Sequence, residues 1–305
     1  MPDLRDGLQS VLGSAYTLDR ELGGGGMSRV FLAQDNALER PVVVKALLPE
    51  LACVVSAQRF AREVHAAAML QHPHIIPVLS AGHTAEEIPF YLMPFVRGET
   101  LHARLQRGAV PYVETIQLMG DVAKALAAAH EAEIVHRDVK PDNILLTGGA
   151  AVVTDFGIAH ALHEARADAP DANLTSLGTS LGTPAYMAPE QACGDAVDAR
   201  TDVYAWGIVT YEMIAGRHPF SGATTAQKLI AAHIAEHPLD LAIRAAGTPR
   251  WFCQLVMSCL AKDPAQRPAD GAALVRAVEY GGTTQESSRA TWTDAMRRVF
   301  GPRTR

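Results

Sequence analysis

The stretch "VHRDVKPDNILL", Val135 to Leu146, decides how the rest of the chain is read. Within six positions it places a carboxylate, an ammonium and an amide, on Asp138, Lys140 and Asn143. Pro141 sits among them and blocks helix continuation, so the segment is a loop. Such a loop can bring a base, a cation and a metal ligand into one small volume. Shortly downstream, "VTDFG" adds a second carboxylate, Asp155, after the β-like run "ILLTGGAAVV". Two oxygen ligands from separate chain positions suit Mg²⁺, which takes one or two protein groups together with substrate phosphates.

Working outward, the next feature is upstream. "ELGGGGMSRVFLA", Glu21 to Ala33, sets four glycines before a short apolar strand. Glycine has the most backbone freedom to lose, so the run needs a reason. Taken alone it reads as a slack linker. A strand on each side and Lys45 downstream in "VVVK" favour instead a loop whose bare backbone closes over something. A phosphate loop of the Gly-Lys-Ser/Thr kind is excluded, because that triplet and the helix after it are missing.

Composition sets the class. The chain has 305 residues, 48% hydrophobic and 20% charged, as an ordinary globular protein does. A net charge of −6 announces no nucleic-acid surface. Four cysteines are few, and the spacing of Cys253 and Cys259 suits neither a zinc knuckle nor a redox pair. "MPDLRDGLQSVLGSAY" carries early acids and lacks the apolar core of a signal peptide. No apolar stretch approaches the ~20 residues that span a bilayer. A soluble, cytoplasmic chain without a transmembrane segment is expected.

The pattern along the chain divides it. Residues 1–15 read as a leader helix. Residues 16–97 read as a small antiparallel sheet with one helix, "SAQRFAREVHAAAMLQ", and with "IIPVLSAGH" and "IPFYLMPFV" as two of its strands. Residues 98–280 read as mainly helical, beginning with "VETIQLMGDVAKALAAAHEA". Residues 281–305 form a polar, basic tail. The expected fold class is α+β and bilobal, with the hinge between Met93 and Gly98.

With these motifs in this order, the chain resembles the catalytic domain of bacterial, eukaryotic-like serine/threonine protein kinases, from Tyr16 to Tyr280. The resemblance implies an enzyme that uses ATP and Mg²⁺, or Mn²⁺, to phosphorylate Ser/Thr hydroxyls of proteins, including itself. It makes Leu22, Gly23, Gly25 and Ser28 the lid over the nucleotide, with Ser28 in a usual glycine position. Val30 and Val43 would cover the base, Met93, Pro94 and Val96 would line its edge, and Leu145 would lie beneath it. Lys45 would anchor the phosphates and pair with Glu63. Asp138 would orient the substrate hydroxyl, Lys140 would neutralise the transferred phosphoryl group, and Asn143 and Asp155 would hold the metal. Thr183 in "GTPAYMAPE" would contact Asp138 and Lys140.

Three further roles follow from the same resemblance. Glu190 would pair with Arg267, and Asp202 would brace the catalytic loop. Arg137, directly before Asp138, implies control by phosphorylation, with Thr175, Ser176 and Thr179 as the candidate acceptors. Leu177 stands where relatives often carry a second threonine. Two other classes compete: a pseudokinase that signals by shape, against which every catalytic position is filled, and a small-molecule kinase, against which "GTPAYMAPE" and its long preceding loop argue. His72 and His74 are read as a proline turn rather than a metal pair, and His136 as a packed support of the catalytic loop.

Overall fold

The computed structural model describes residues 3–25, 28–52, 57–156 and 184–281. Strands β1 (Tyr16–Gly25), β2 (Ser28–Asp35), β3 (Arg40–Leu47), β4 (Ser80–His83) and β5 (Pro89–Pro94) form one antiparallel sheet in the order β1-β2-β3-β5-β4. The reason both faces of this sheet are apolar lies in the period of two along each strand. On β3, Val42, Val44 and Ala46 point to one side, and Val43 and Leu47 to the other. On β5, Phe90 and Leu92 go with the first set, and Tyr91 and Met93 with the second.

A separate helix covers each face. The leader helix is α1 (Leu4–Leu12), whose Leu4, Leu8 and Leu12 recur at helical spacing and pack on the outer face. Asp3 caps its start by accepting from the Arg5 N–H. Arg5 donates to the carbonyls of Leu18 and Asp19, and Gln9 exchanges hydrogen bonds with Tyr16 and Leu18, so the helix is tied to β1 by polar contacts as well. The inner face receives Phe60 and Val64 of a second helix, α3 (Ala57–Ala68), which follows a one-turn α2 (Pro49–Ala52).

The run "IIPVLSAGH" pairs as a strand only over Ser80–His83. Its first half crosses to the other lobe: Ile75 bridges Val153 in parallel, and Pro77 breaks the ladder. His74 completes this crossing, with Nδ1 2.9 Å from the Ala151 carbonyl oxygen and Nε2 3.3 Å from Asp121 Oδ1. His74 of "QHPH" is therefore a clasp between lobes, with His72 Nδ1 accepting its backbone N–H.

After Pro94 the chain passes Gly98, where a Cβ would collide with the Leu146 carbonyl oxygen. A small sheet follows, β6 (Glu99–Thr100), β7 (Ile144–Thr147) and β8 (Ala150–Val153). The helical lobe holds α4 (Leu101–Leu105), α5 (Tyr112–Glu131), α6 (Pro189–Cys193), α7 (Ala199–Ala215), α8 (Ala226–Ala235), α9 (Leu241–Arg244) and α10 (Arg250–Cys259), with a further helical stretch over 271–281. Helix α7 is apolar around nearly its whole girth, which marks a central helix. Trp206 on it is fully buried, donates to the Met119 carbonyl of α5 and meets Phe252 of α10 edge-on. The α+β, bilobal class expected from the sequence is the fold observed. Among the described residues, no helix is long and apolar enough to cross a membrane.

Candidate active site

The glycine run lies on β1, paired with β2 so that Gly23 faces Val30 and Gly25 faces Ser28. Gly23 has φ +131, a backbone that side chains rarely adopt, and a Cβ on Gly24 would strike the Ser28 carbonyl oxygen. These two positions need glycine for steric reasons alone. Beneath the hairpin, Val43 and Met93 join Val30, Val96 and Leu145 in one apolar cluster that spans both lobes. Leu22 is exposed and lies outside that cluster, and Pro94 ends β5 opposite Val42.

Lys45 crosses the cleft. Its Nζ lies 2.5 Å from Asp155 Oδ2, and the two side chains are 19% and 9% exposed. The other carboxylate oxygen, Oδ1, accepts from the Tyr91 hydroxyl at 2.5 Å and lies 3.2 Å from Thr154 Oγ1. Burial pushes the Asp155 carboxyl up, yet the Lys45 charge and the Lys45 and Tyr91 donors outweigh it and hold the group below its ordinary value. Burial, helped by that same carboxylate, raises the Tyr91 phenol well above its ordinary value, so it stays a donor.

This arrangement corrects one expectation. The Lys45–Glu63 pair is not made; Glu63 Oε1 lies 3.4 Å from Arg62 Nη2 instead. Asp155 takes the ammonium instead, its carboxylate held between Lys45 on Oδ2 and Tyr91 on Oδ1. Sequence reading also missed Tyr91. The signal was present: with Met93 facing the cleft, a residue two places earlier on a strand must face it too.

Within the loop from Val135 to Leu146, side chains converge on Asp138. Its Oδ2 accepts from Lys140 Nζ at 2.7 Å and from Asn143 Nδ2 at 3.0 Å, and Nδ2 also reaches the Asp138 carbonyl at 2.8 Å. Both acceptors claim the amide nitrogen, so the Asn143 side-chain oxygen is left for another partner. Thr154 N–H donates to the Asn143 carbonyl at 3.0 Å and so ties this loop to the segment carrying Asp155.

Asp202, fully buried on α7, accepts from the His136 and Arg137 N–H groups at 2.7 and 2.8 Å and lies 2.9 Å from His130 Nε2. Its two acceptor contacts hold Arg137 at φ +65, a left-handed backbone that carries strain for any residue other than glycine. His136 is buried, its ring against Phe156, its Nε2 on the Thr154 carbonyl and its Nδ1 accepting the Asp138 N–H.

Behind the loop, Arg267 grips Glu190 with two parallel hydrogen bonds of 2.7 and 2.9 Å, and Thr201 adds a third at 2.7 Å. Gln191, next to Glu190, donates to the Arg137 carbonyl. Tyr186 donates to Glu212 at 2.6 Å, and burial raises the Glu212 carboxyl above its ordinary value. Thr175, Ser176, Thr179 and Thr183 lie outside the described residues, as does the tail from 282 onward.

A glycine-bearing hairpin, a lysine–aspartate pair between lobes and a loop centred on Asp138 define the class. The model of the protein kinase domain matches residues 16–278. A serine/threonine-protein kinase drp72 of Corynebacterium efficiens is 40% identical over 281 residues, covering 89% of this chain and 51% of that protein. PknB of Mycobacterium tuberculosis is 39% identical over 264 residues, covering 85% and 41%. Among solved structures, the PknI kinase domain of Mycobacterium tuberculosis superposes with a TM-score of 0.67 at 27% identity, covering 88% of this chain and 96% of the other.

The chain belongs to the protein kinase domain family, and its domain is of the bacterial, eukaryotic-like serine/threonine type. It spans about half the length of the first curated relatives it matches.

Proposed function

We propose that this domain transfers the γ-phosphoryl group of metal-bound ATP to Ser/Thr hydroxyls of proteins, its own activation segment included. One observation carries the reading. Lys45, Asp155, Asn143 and Asp138 are connected across the cleft by successive short contacts, from Lys45 to Asp155, through Thr154 to Asn143, and on to Asp138.

The donor set suits the cation. Asp155 offers carboxylate oxygens and Asn143 an amide oxygen, both hard ligands, and Mg²⁺ or Mn²⁺ favours them. When bound there, the cation would neutralise charge on the β- and γ-phosphate oxygens. The glycines of β1 let the backbone approach the phosphates, and Lys45 adds a positive charge beside them. The apolar cluster of Val30, Val43, Met93, Val96 and Leu145 suits the faces of a purine ring.

Asp138 is the base or orienting group. Lys140 and Asn143 occupy its Oδ2, and among the described residues no donor reaches Oδ1, which is left for a substrate hydroxyl. Lys140, 2.7 Å away, places a cation where the transferred group gains charge. Arg137 supports the regulatory part of the reading, because a loop phosphate adds ~1.5 to 2 negative charges beside it. Thr175 is the first candidate acceptor, then Ser176 and Thr179. An ATP-consuming domain also belongs on the cytoplasmic side of the membrane.

Incubation of the full chain with MgATP, followed by mass spectrometry, tests this. Phosphate on the chain is expected. Asp138→Ala should keep nucleotide binding and lower transfer by at least ~10²-fold. Transfer at the wild-type rate in that variant would remove Asp138 from its role, and no transfer by the wild type to itself or to a general protein substrate would overturn the function.

A further inference from the structure

Tyr91 makes a contact to the proposed metal-binding carboxylate that the sequence motifs do not account for. It stands directly opposite Lys45 in the β3–β5 register, so the two side chains leave the sheet on the same face. Both end on Asp155: the ammonium on Oδ2 and the phenol on Oδ1, each at 2.5 Å. Tyr91 is 3% exposed and borders a small cavity with Met93, Thr154 and Phe156, so its hydroxyl has an enclosed approach to the carboxylate.

We infer that Tyr91 is a positioning residue for cation binding, acting through Asp155. This rests on the reading of Asp155 as a metal ligand. Asp155 follows β8 at φ +70, a left-handed backbone that by itself does not fix where the carboxylate points. Two donors from a single rigid sheet remove that freedom. The Thr154 hydroxyl, 3.2 Å from Oδ1, has Met93 Sδ at 3.3 Å as a second acceptor for its one hydrogen. With that hydrogen on sulfur, Oδ1 accepts the phenol on one lone pair and offers the other to a cation. Hydrogen-bond partners of ligating carboxylates characteristically change metal affinity by about 10- to 100-fold when removed. The phenol does this without adding charge, whereas Lys45 both orients Asp155 and offsets its charge. The division of labour leaves Tyr91 with orientation alone.

The test uses the full chain and Tyr91→Phe, which removes the hydroxyl and retains the ring. Binding of a non-hydrolysable ATP analogue is measured by calorimetry without metal, and Mn²⁺ binding to the analogue-loaded protein by electron paramagnetic resonance. Expected are about tenfold weaker Mn²⁺ binding in Tyr91→Phe and metal-free analogue affinity within about twofold of wild type. Unchanged Mn²⁺ affinity overturns the inference, as does tighter binding, which would make the phenol a competitor of the cation. Equal loss with and without metal, or failure of the variant to bind the analogue at all, also overturns it, since Tyr91 would then serve packing. Wild-type protein that holds no Mn²⁺ beside the analogue overturns the metal-site reading itself, and the inference with it.

Discussion

Lys45 and Asp155 form an ion pair of 2.5 Å between the lobes, and Tyr91, the cross-strand neighbour of Lys45, holds the remaining carboxylate oxygen. The pair is mostly shielded from water, so removing the cation strands a buried charge. Lys45→Met is expected to lower the unfolding free energy by about 3 kcal/mol at pH 7, read by urea denaturation. The sign of its pH dependence follows from Asp155, whose carboxyl Lys45 helps to hold below its ordinary value. That stabilisation is present above the unfolded value of 3.8 and lost as pH falls through the folded one. The gap between wild type and variant should therefore close in acid. A gap that stays constant down to the acid limit would show that the pair contributes packing alone.

Helix α1 owes its place to three leucines on the outer face of the sheet. Leu8 is fully buried among them, whereas Val11 on the same helix is 46% exposed. Leu8→Ala should cost about 3 kcal/mol through lost burial and the cavity left behind, and Val11→Ala under about 0.5 kcal/mol. Equal effects in thermal melts would mean that α1 does not dock through this face.

His233 on α8 carries a pH dependence of its own. Burial first, then the charges of His218 and Lys262, lower it to about 3, and its Nδ1 lies 2.9 Å from the Tyr204 hydroxyl. The folded imidazole stays neutral while the unfolded one takes a proton below its ordinary value of 6.5. Stability should thus fall as pH drops from 6.5 towards 3, by about 1.4 kcal/mol per unit for this proton. His233→Gln removes that share of the slope. Parallel slopes for wild type and variant in urea titrations at pH 4 to 6.5 would refute it.

Glu133, exposed just past the end of α5, sits at φ +60. A side chain there carries a conformational cost that glycine lacks. Glu133→Gly should raise stability by about 0.5 to 1 kcal/mol, despite the extra freedom it gives the unfolded chain. A lower melting temperature would mean that the glutamate side chain contributes a contact worth more than the strain.

Much of the architecture was legible in the order of residues. Strand alternation in "RPVVVKAL" and "PFYLMP" already separates a cleft face from an outer face, because a pleated strand sends alternate side chains to opposite sides. Helical spacing did the same for Leu4, Leu8 and Leu12. The strand over "IIPVLSAGH" was only half right. Local pattern cannot show that Ile75 would find its partner at Val153 in the other lobe, since that pairing depends on where two distant segments meet. The partner of Lys45 differs from expectation for the same reason: two carboxylates further along the chain could each meet it, and only the fold delivers Asp155 rather than Glu63 to its ammonium.

By itself, the amino-acid sequence determined the bilobal class, the loop around Asp138 and the family, because turn chemistry, side-chain period and ordered motifs are local properties. Only the tertiary structure decided other contacts: Tyr91 on Asp155, His74 between lobes, and Asp155 rather than Glu63 on Lys45. Those choices depend on distances between segments far apart in the chain, and hydrogen bonds and ion pairs act only over a few ångströms.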